Sequence, residues 1–287
     1  MHHTKKQIFK IAIISIIIFI SILAVFTMWL YSGRLTELKI NIFNRLPLPI
    51  ALVNNKALTM RNYTLRWQTY QKLYQEQITT QTSDTAKKAI FSQMVKDEEA
   101  IQIASRHGLS VDRKEIEAEY SAQESTAGKG FQEMLKTYGF DPDSYKQYAI
   151  KPQLLLIKLQ IWFNSQETLN KIQFELAKNL AEQINNGQDM AILAEQFSQD
   201  ETGRAVGGDM GFLDPTELVV EMREAVYSLA KGEAKIIPSR TGVNIIKLEE
   251  KQANMFRLRQ IFLQPEDFKP WLDQETKNFK IYKLIDF

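Results

Sequence analysis

No cysteine occurs among the 287 residues. That absence excludes disulfides, zinc thiolates and a thiol nucleophile, together with the lipid-modified cysteine that anchors many exported proteins. Histidine is nearly absent too. His2 and His3 sit in an N-terminal tail, and His107 before Gly108 reads as a helix end. No histidine cluster exists to hold a metal, and neither metal nor cofactor is expected. Charge of one sign is also lacking: 36 basic residues balance 34 acidic ones with no dense basic tract. Nothing draws the chain to nucleic acid, and none is expected as a partner.

What is present is apolar. Hydrophobic residues make up 44% of the chain, enough for the cores of two or three domains at ~150 residues each. Between Ile11 and Gly33 no residue is charged, a run of about 23 positions against the ~20 that a bilayer-crossing helix needs. Lys5, Lys6 and Lys10 precede the run, and Trp29 and Tyr31 close it like an interfacial aromatic belt. Phe26-Thr27-Met28-Trp29-Leu30 lacks the small residues of a signal-peptidase site. The run is therefore expected to be an uncleaved signal anchor. Residues 1–10 would lie in the cytoplasm, 11–33 in the lipid bilayer, and the rest outside. A buried core helix is the alternative.

Beyond the anchor, Pro47 to Thr59 reads as a short hairpin turning at Asn54-Asn55. A helix with Tyr63, Trp67, Tyr70 and Tyr74 on one face should follow, packed or offered to client chains. Thr79 to Thr85 reads as a loop and Ala89 to Arg106 as a helix. Asp112 and Glu115 then form a capping box. Ala118 to Gly130, small and polar, is expected to be a linker or frayed end. Asp141-Pro142 opens a further helix. In this succession AIFSQMVKDEEAIQIASRHGLSVDRKEIEAEY and GFQEMLKTYGFDPDSYKQYAIKPQLLLIKL resemble the helical chaperone domain of SurA- and PrsA-type foldases.

The most informative stretch is FSQDETGRAVGGDMGF, Phe197 to Phe212. A helical segment from Leu169 to Phe197, broken at Asn185-Asn186-Gly187, leads into it. Gly207, Gly208 and Gly211 around Asp209 suit a loop with unusual backbone angles that flattens into a strand at Met210 to Leu213. Glu217 to Leu229 then reads as a helix. Gly232 to Ser239 reads as a turn and strand, and Gly242 to Leu248 as another strand. SQDETGRAVGGDMGF, LVVEMREAVYSLAKGE and IIPSRTGVNIIKLEE, in this order and spacing, resemble the parvulin family of peptidyl-prolyl cis-trans isomerases over Leu169 to Glu249. The resemblance implies an α+β domain with a small antiparallel sheet, placed after the helical domain and its transmembrane helix.

Parvulin domains begin with a histidine-bearing strand of RHILV type, and here the pattern departs. Leu154, Leu155, Ile157, Ile161 and Trp162 make a continuous helical pattern, which a strand through Gln160 would cut. Past the polar turn Glu249 to Asn254, Arg259-Gln260-Ile261-Phe262-Leu263 resembles that strand, with glutamine at the histidine position. Phe256, Leu258 and Gln260 alternate with Arg257, Arg259 and Ile261. A circular permutation is therefore expected, the usual first strand being supplied last. The alternative is a C-terminal extension at a sheet edge. Residues 34–165 would be the chaperone domain and 166–287 the parvulin-like domain.

The resemblance assigns the site. Asp200 stands where the family has an acid or thiol beside the substrate carbonyl, and Asn244 and Gln260 stand at the two histidine positions. Met210, Leu218, Met222 and Tyr227 would line the cup for the proline ring, with Ser239 nearby. Amides can donate and accept hydrogen bonds but cannot titrate. The expectation is a membrane-anchored foldase of weakened isomerase activity, or else a non-catalytic holdase. Its partners would be unfolded or newly exported proteins and their proline-containing segments.

Overall fold

The computed structural model of the chain describes residues 2–33, 36–46, 48–74 and 80–285. Helix α1 (His2–Tyr31) comes first. Its large apolar side chains from Ile13 to Met28 are exposed, so protein does not cover them and the core-helix alternative fails. Ile13–Tyr31, of mean hydropathy 2.7, is long and apolar enough to cross a membrane.

Helix α2 (Glu37–Arg45) starts at Thr36, whose side chain caps Lys39 N. Strands β1 (Pro49–Val53) and β2 (Lys56–Thr59) form the expected hairpin, with Asn54 at φ +54° in the turn. On α3 (Met60–Leu73) Tyr63 is buried, while the rings of Trp67, Tyr70 and Tyr74 follow one another at 5.7 and 4.7 Å. Helix α4 (Thr80–Arg106) begins before its expected start, so the loop read over Thr79 to Thr85 is helical from Thr80 on, Thr79 lying outside the described residues. A helix nucleated on buried Ala86, Phe91, Met94 and Val95 extends backward at little cost, because each added residue gains one hydrogen bond.

The Asp112–Glu115 box forms, with both reciprocal bonds at 2.9 Å, and opens α5 (Arg113–Ala127). The expected linker is wrong: the helix runs on to Ala127 and breaks only at Gly128, φ +56°. Tyr120 holds it down, being buried edge-on to Phe131 of α6 (Lys129–Tyr138) and accepting from Gln132 Nε2. Asp141 caps α7 (Pro142–Tyr145), which passes through a wide turn, Lys146–Ile150, into α8 (Lys151–Ser165). Gln160 thus lies on a helix.

There follow α9 (Lys171–Asn185), α10 (Met190–Phe197), α11 (Glu201–Ala205), β3 (Asp209–Leu213), α12 (Val220–Tyr227), β4 (Ala234–Pro238), β5 (Val243–Gln252), β6 (Met255–Leu263), α13 (Phe268–Thr276) and β7 (Ile281–Lys283).

Two compact units result. One comprises Met1–Glu99, Glu117–Ile150 and Asn278–Phe287; the other comprises Ala100–Ile116 and Lys151–Lys277. Space therefore divides the chain differently from a single cut at 165/166. In the first unit the sheet order is β2-β1-β7, all antiparallel. Its core gathers Phe43, Ile50, Met60, Phe91 and Met94 with Leu30 and Ile285. In the second unit the order is β3-β6-β5-β4, also antiparallel. Val243, Ile245, Ile261 and Leu263 face a core with α9 and α10, while Ile246, Leu248, Phe256 and Leu258 face α12. Strand β6 is interior, as the permuted reading requires, and the edge-extension alternative fails. Tryptophan and phenylalanine hold α13: Trp271 lies 5.6 Å from Trp162 and 5.1 Å from Phe163.

Candidate functional site

Alternation along β5 and β6 decides what the site is made of. Asn244 and Gln260 share the α12 side of the sheet with Ile246 and Phe256, one cross-strand step apart. Gln260 Nε2 donates to Asn244 Oδ1 at 2.6 Å. Asn244 is fully buried, and its Nδ2 donates to Ile237 O, Ser239 Oγ and Gly242 O at 3.0–3.2 Å. Carbonyl oxygens only accept, so the Asn244 amide has one orientation, and this in turn fixes Gln260 as donor to it. Ser239, buried behind Asn244, also bonds Thr241 at 2.9 Å and anchors the relay.

Gln260 reaches a cleft of about 330 Å³ lined also by Asp200, Thr202, Gly203, Val206, Gly208, Asp209, Met210 and Leu213. Val206, Met210 and Leu213 form its apolar part, and the last two pack against the buried cluster that contains Leu218 and Met222. Tyr227 does not line the cleft. It ends α12 beside buried Val226, is 62% exposed, and presents its ring edge-on to Phe256 at 5.5 Å.

Asp200 sits at the cleft as the cap of α11, accepting from Thr202 N at 3.2 Å. A side chain at Gly203 would begin 2.5 Å from its carboxylate, so glycine leaves it room. Strand β6 positions this turn as well: Gln199 N donates to Phe262 O at 2.8 Å, and Phe262 N donates to Ser198 Oγ at 3.2 Å.

The glycine loop is pressed onto the same strand. Gln260 N donates to Gly208 O at 2.8 Å, and a Cβ on Gly208 (φ +76°) would stand 2.2 Å from Gln260 O. Gly207 O accepts from Arg259 Nη1. Asp209 pairs with Arg257 at 2.6 Å and accepts from Gly211 N at 2.9 Å. The Arg257 hydrogen bond, helped by the Gly211 amide, holds the Asp209 carboxyl below the usual carboxylate range. Arg259 meets Glu249 at 3.1 Å. These two arginines were not singled out as site residues. Their signal was present in the alternation of β6, which puts both on the side opposite Gln260.

The structure thus brings Asp200, Gln260, Met210, Gly208 and Asp209 together at one cleft, with Asn244 and Ser239 behind and Leu218 and Met222 beneath. Residues 1–160, more than half of the chain, match the model of the SurA-like N-terminal domain. The chain belongs to that SurA-like family. Residues 146–252 match the PPIC-type PPIASE domain, a stretch that ends before β6, the strand between β3 and β5.

Among curated relatives of this SurA-like chain, foldase protein PrsA of Caldanaerobacter subterraneus subsp. tengcongensis is 25% identical over 180 residues, 58% of this chain and 58% of that protein. Foldase protein PrsA of Geobacillus kaustophilus is 33% identical over 112 residues, 38% of this chain and 40% of that one. Chaperone SurA of Pseudomonas syringae pv. tomato is 43% identical over 58 residues, 20% of this chain and 14% of that one. The chain spans a little over half the length of the first of these relatives and less of the others.

Proposed function

We propose that this protein is a membrane-anchored, extracytoplasmic foldase that binds proline-containing segments of unfolded or newly exported chains and isomerises their prolyl bonds slowly. The observation that carries the reading is the fixed Gln260–Asn244 amide pair, with Asp200 at the same cleft and Met210 and Leu213 beneath. Prolyl isomerisation moves no proton. It needs an apolar cup for the ring and hydrogen-bonding groups around an amide that twists over a barrier of ~18–20 kcal/mol. The cleft offers both. One Gln260 N–H is committed to Asn244, which leaves the rest of that amide, together with Asp200, to face a bound peptide.

In this reading residues 1–10 lie in the cytoplasm and the chain beyond residue 33 lies outside. The exposed apolar surface of α1 and the lysines before it support that orientation.

NMR exchange spectroscopy on a proline peptide, with the full chain in nanodiscs, tests the proposal. Expected is a modest acceleration, nearly constant from about pH 6 to 8, where an imidazole would titrate. Asp200→Asn should reduce it while keeping the helix cap. Peptide that neither exchanges faster nor perturbs resonances at the cleft would overturn the isomerase reading. A second reading, a holdase, is favoured by the exposed Val206, Phe212 and Val220 of the second unit. It would prevail if the protein suppressed client aggregation without accelerating exchange.

A further inference from the structure

The end of α1 is part of the folded core of the first unit. Leu30 is 2% exposed and clusters with Phe43, Ile50 and Met60. The Tyr31 hydroxyl donates to Pro49 O at 3.0 Å, and its ring meets that of Phe43 edge-on at 5.2 Å. Lys39, only 5% exposed, donates to Ser32 O and sits 5.2 Å from the centre of the Trp29 ring. A cation on the last carbonyls of a helix is favourable, and here it also clamps α2 to α1. Lys39 and Phe43 of α2 therefore touch Trp29 and Tyr31 of α1 and Ser32 just beyond it.

This contact sets a depth. The span Ile13–Tyr31 contains 19 residues, and at 1.5 Å each a helix that long measures about 28 Å, close to the ~30 Å hydrocarbon thickness of a bilayer. The uncharged Ile11 and Ala12 extend the helical run to about 32 Å, still matched to the bilayer, so its end stays at the lipid boundary. Trp29 and Tyr31 then lie at the boundary, and α2, in contact with them, lies at the same level. Two aliphatic side chains of this segment face away from the protein: Leu38 is 61% exposed and Leu46 47%. Arg45 is exposed beside Leu46, as is common in helices that rest in the headgroup layer.

We propose that α2 is an interfacial element, with Leu38 and Leu46 seated in the headgroup–acyl boundary of the bilayer that α1 crosses. The proposal rests on the anchor reading. Its consequence is that the first unit is held flush against the membrane by a rigid joint.

The absence of cysteine makes the test direct. Full-length protein carrying a single substitution (Leu38→Cys, Leu46→Cys, Ile20→Cys in the span, or Ser125→Cys on exposed α5) is labelled with an environment-sensitive fluorophore. It is then reconstituted in phosphatidylcholine–phosphatidylglycerol vesicles with brominated acyl chains. Thermal melting checks that each labelled protein is folded. Expected are blue-shifted, bromine-quenched emission at 20, 38 and 46 and unquenched emission at 125. Quenching at 20 with emission at 38 and 46 resembling that at 125 would overturn the proposal and leave the anchor intact. A protein that fails to float with the vesicles and shows no quenching at 20 would overturn the anchor reading, and this proposal with it.

Discussion

Gly208 and Gly211 both hold φ near +70°, but a methyl group would meet different surroundings at each. At Gly211 nothing lies within 4 Å, so alanine should cost only the left-handed backbone penalty of about 1–2 kcal/mol. At Gly208 the new atom would stand 2.2 Å from a carbonyl oxygen of β6. That strand would have to move, and an overpacking cost of about 1–3 kcal/mol is expected on top of the left-handed penalty. Thermal melting of the two variants should separate them clearly. The Gln260–Asn244 pair makes a second prediction at this scale. Because the two side chains touch at 2.6 Å, their effects should couple. Replacing both by histidine should raise the isomerisation rate by more than the product of the two single changes, and should introduce a pH dependence near neutrality that the wild type lacks.

At the scale of elements, β6 holds the second unit together, since β3 and β5 each pair with it. Ending the chain at Gln252 should therefore unfold this unit, because both neighbours would be left with unpaired backbone groups. Ending it at Lys277 keeps all four strands and should leave amide-exchange protection in β3 to β6 intact. The Asp209–Arg257 pair that fastens β3 to β6 carries a pH signature. Asp209 is depressed in the folded state, so its stabilisation is present above the ordinary aspartate value of about 3.9 and is lost as pH falls through the lower folded value. The melting temperature of wild type should fall more steeply than that of Arg257→Gln below about pH 4.

Much of this was legible in the residues. The hairpin at Asn54, the Asp112–Glu115 box and the alternation of Phe256, Leu258 and Gln260 are local signals, and the structure follows them. What could not be read depended on distant partners. Ala118 to Ala127 shows almost no apolar period, because one tyrosine, Tyr120, does most of the packing against α6. Tyr227 was assigned to the cup by its place in a motif. Which way it points depends on where α12 ends, and motif spacing does not encode that. The pairing of β7 with β1 joins residues more than 200 positions apart, and three exposed side chains, Ile281 to Lys283, gave no hint of a partner.

For the whole molecule, the topology is open to direct test. Protease added outside intact cells should remove the chain beyond residue 34 while a short fragment stays with the membrane. A soluble product starting near Ser32 would mean a cleaved signal. Such cleavage would also take Leu30 and Tyr31 out of the core of the first unit, so that product should melt at lower temperature than the intact protein.

The place of β6 and β7 has a bearing on biogenesis. A chain crossing the membrane behind its N-terminal anchor emerges in sequence order, at the ~5–20 residues per second of synthesis. Strands β3 and β5 come out with no neighbour between them, and β1 waits for β7 until some 230 residues later. The second sheet thus closes only after residue 254 is through and the first only after residue 280, and the β3–β6 and β1–β7 pairings are contacts of long sequence separation, which form slowly. During that interval the apolar faces of β1, β3 and β5 stand open. If the proposed function holds, the protein in its own export passes through the same vulnerable state as the chains it would serve.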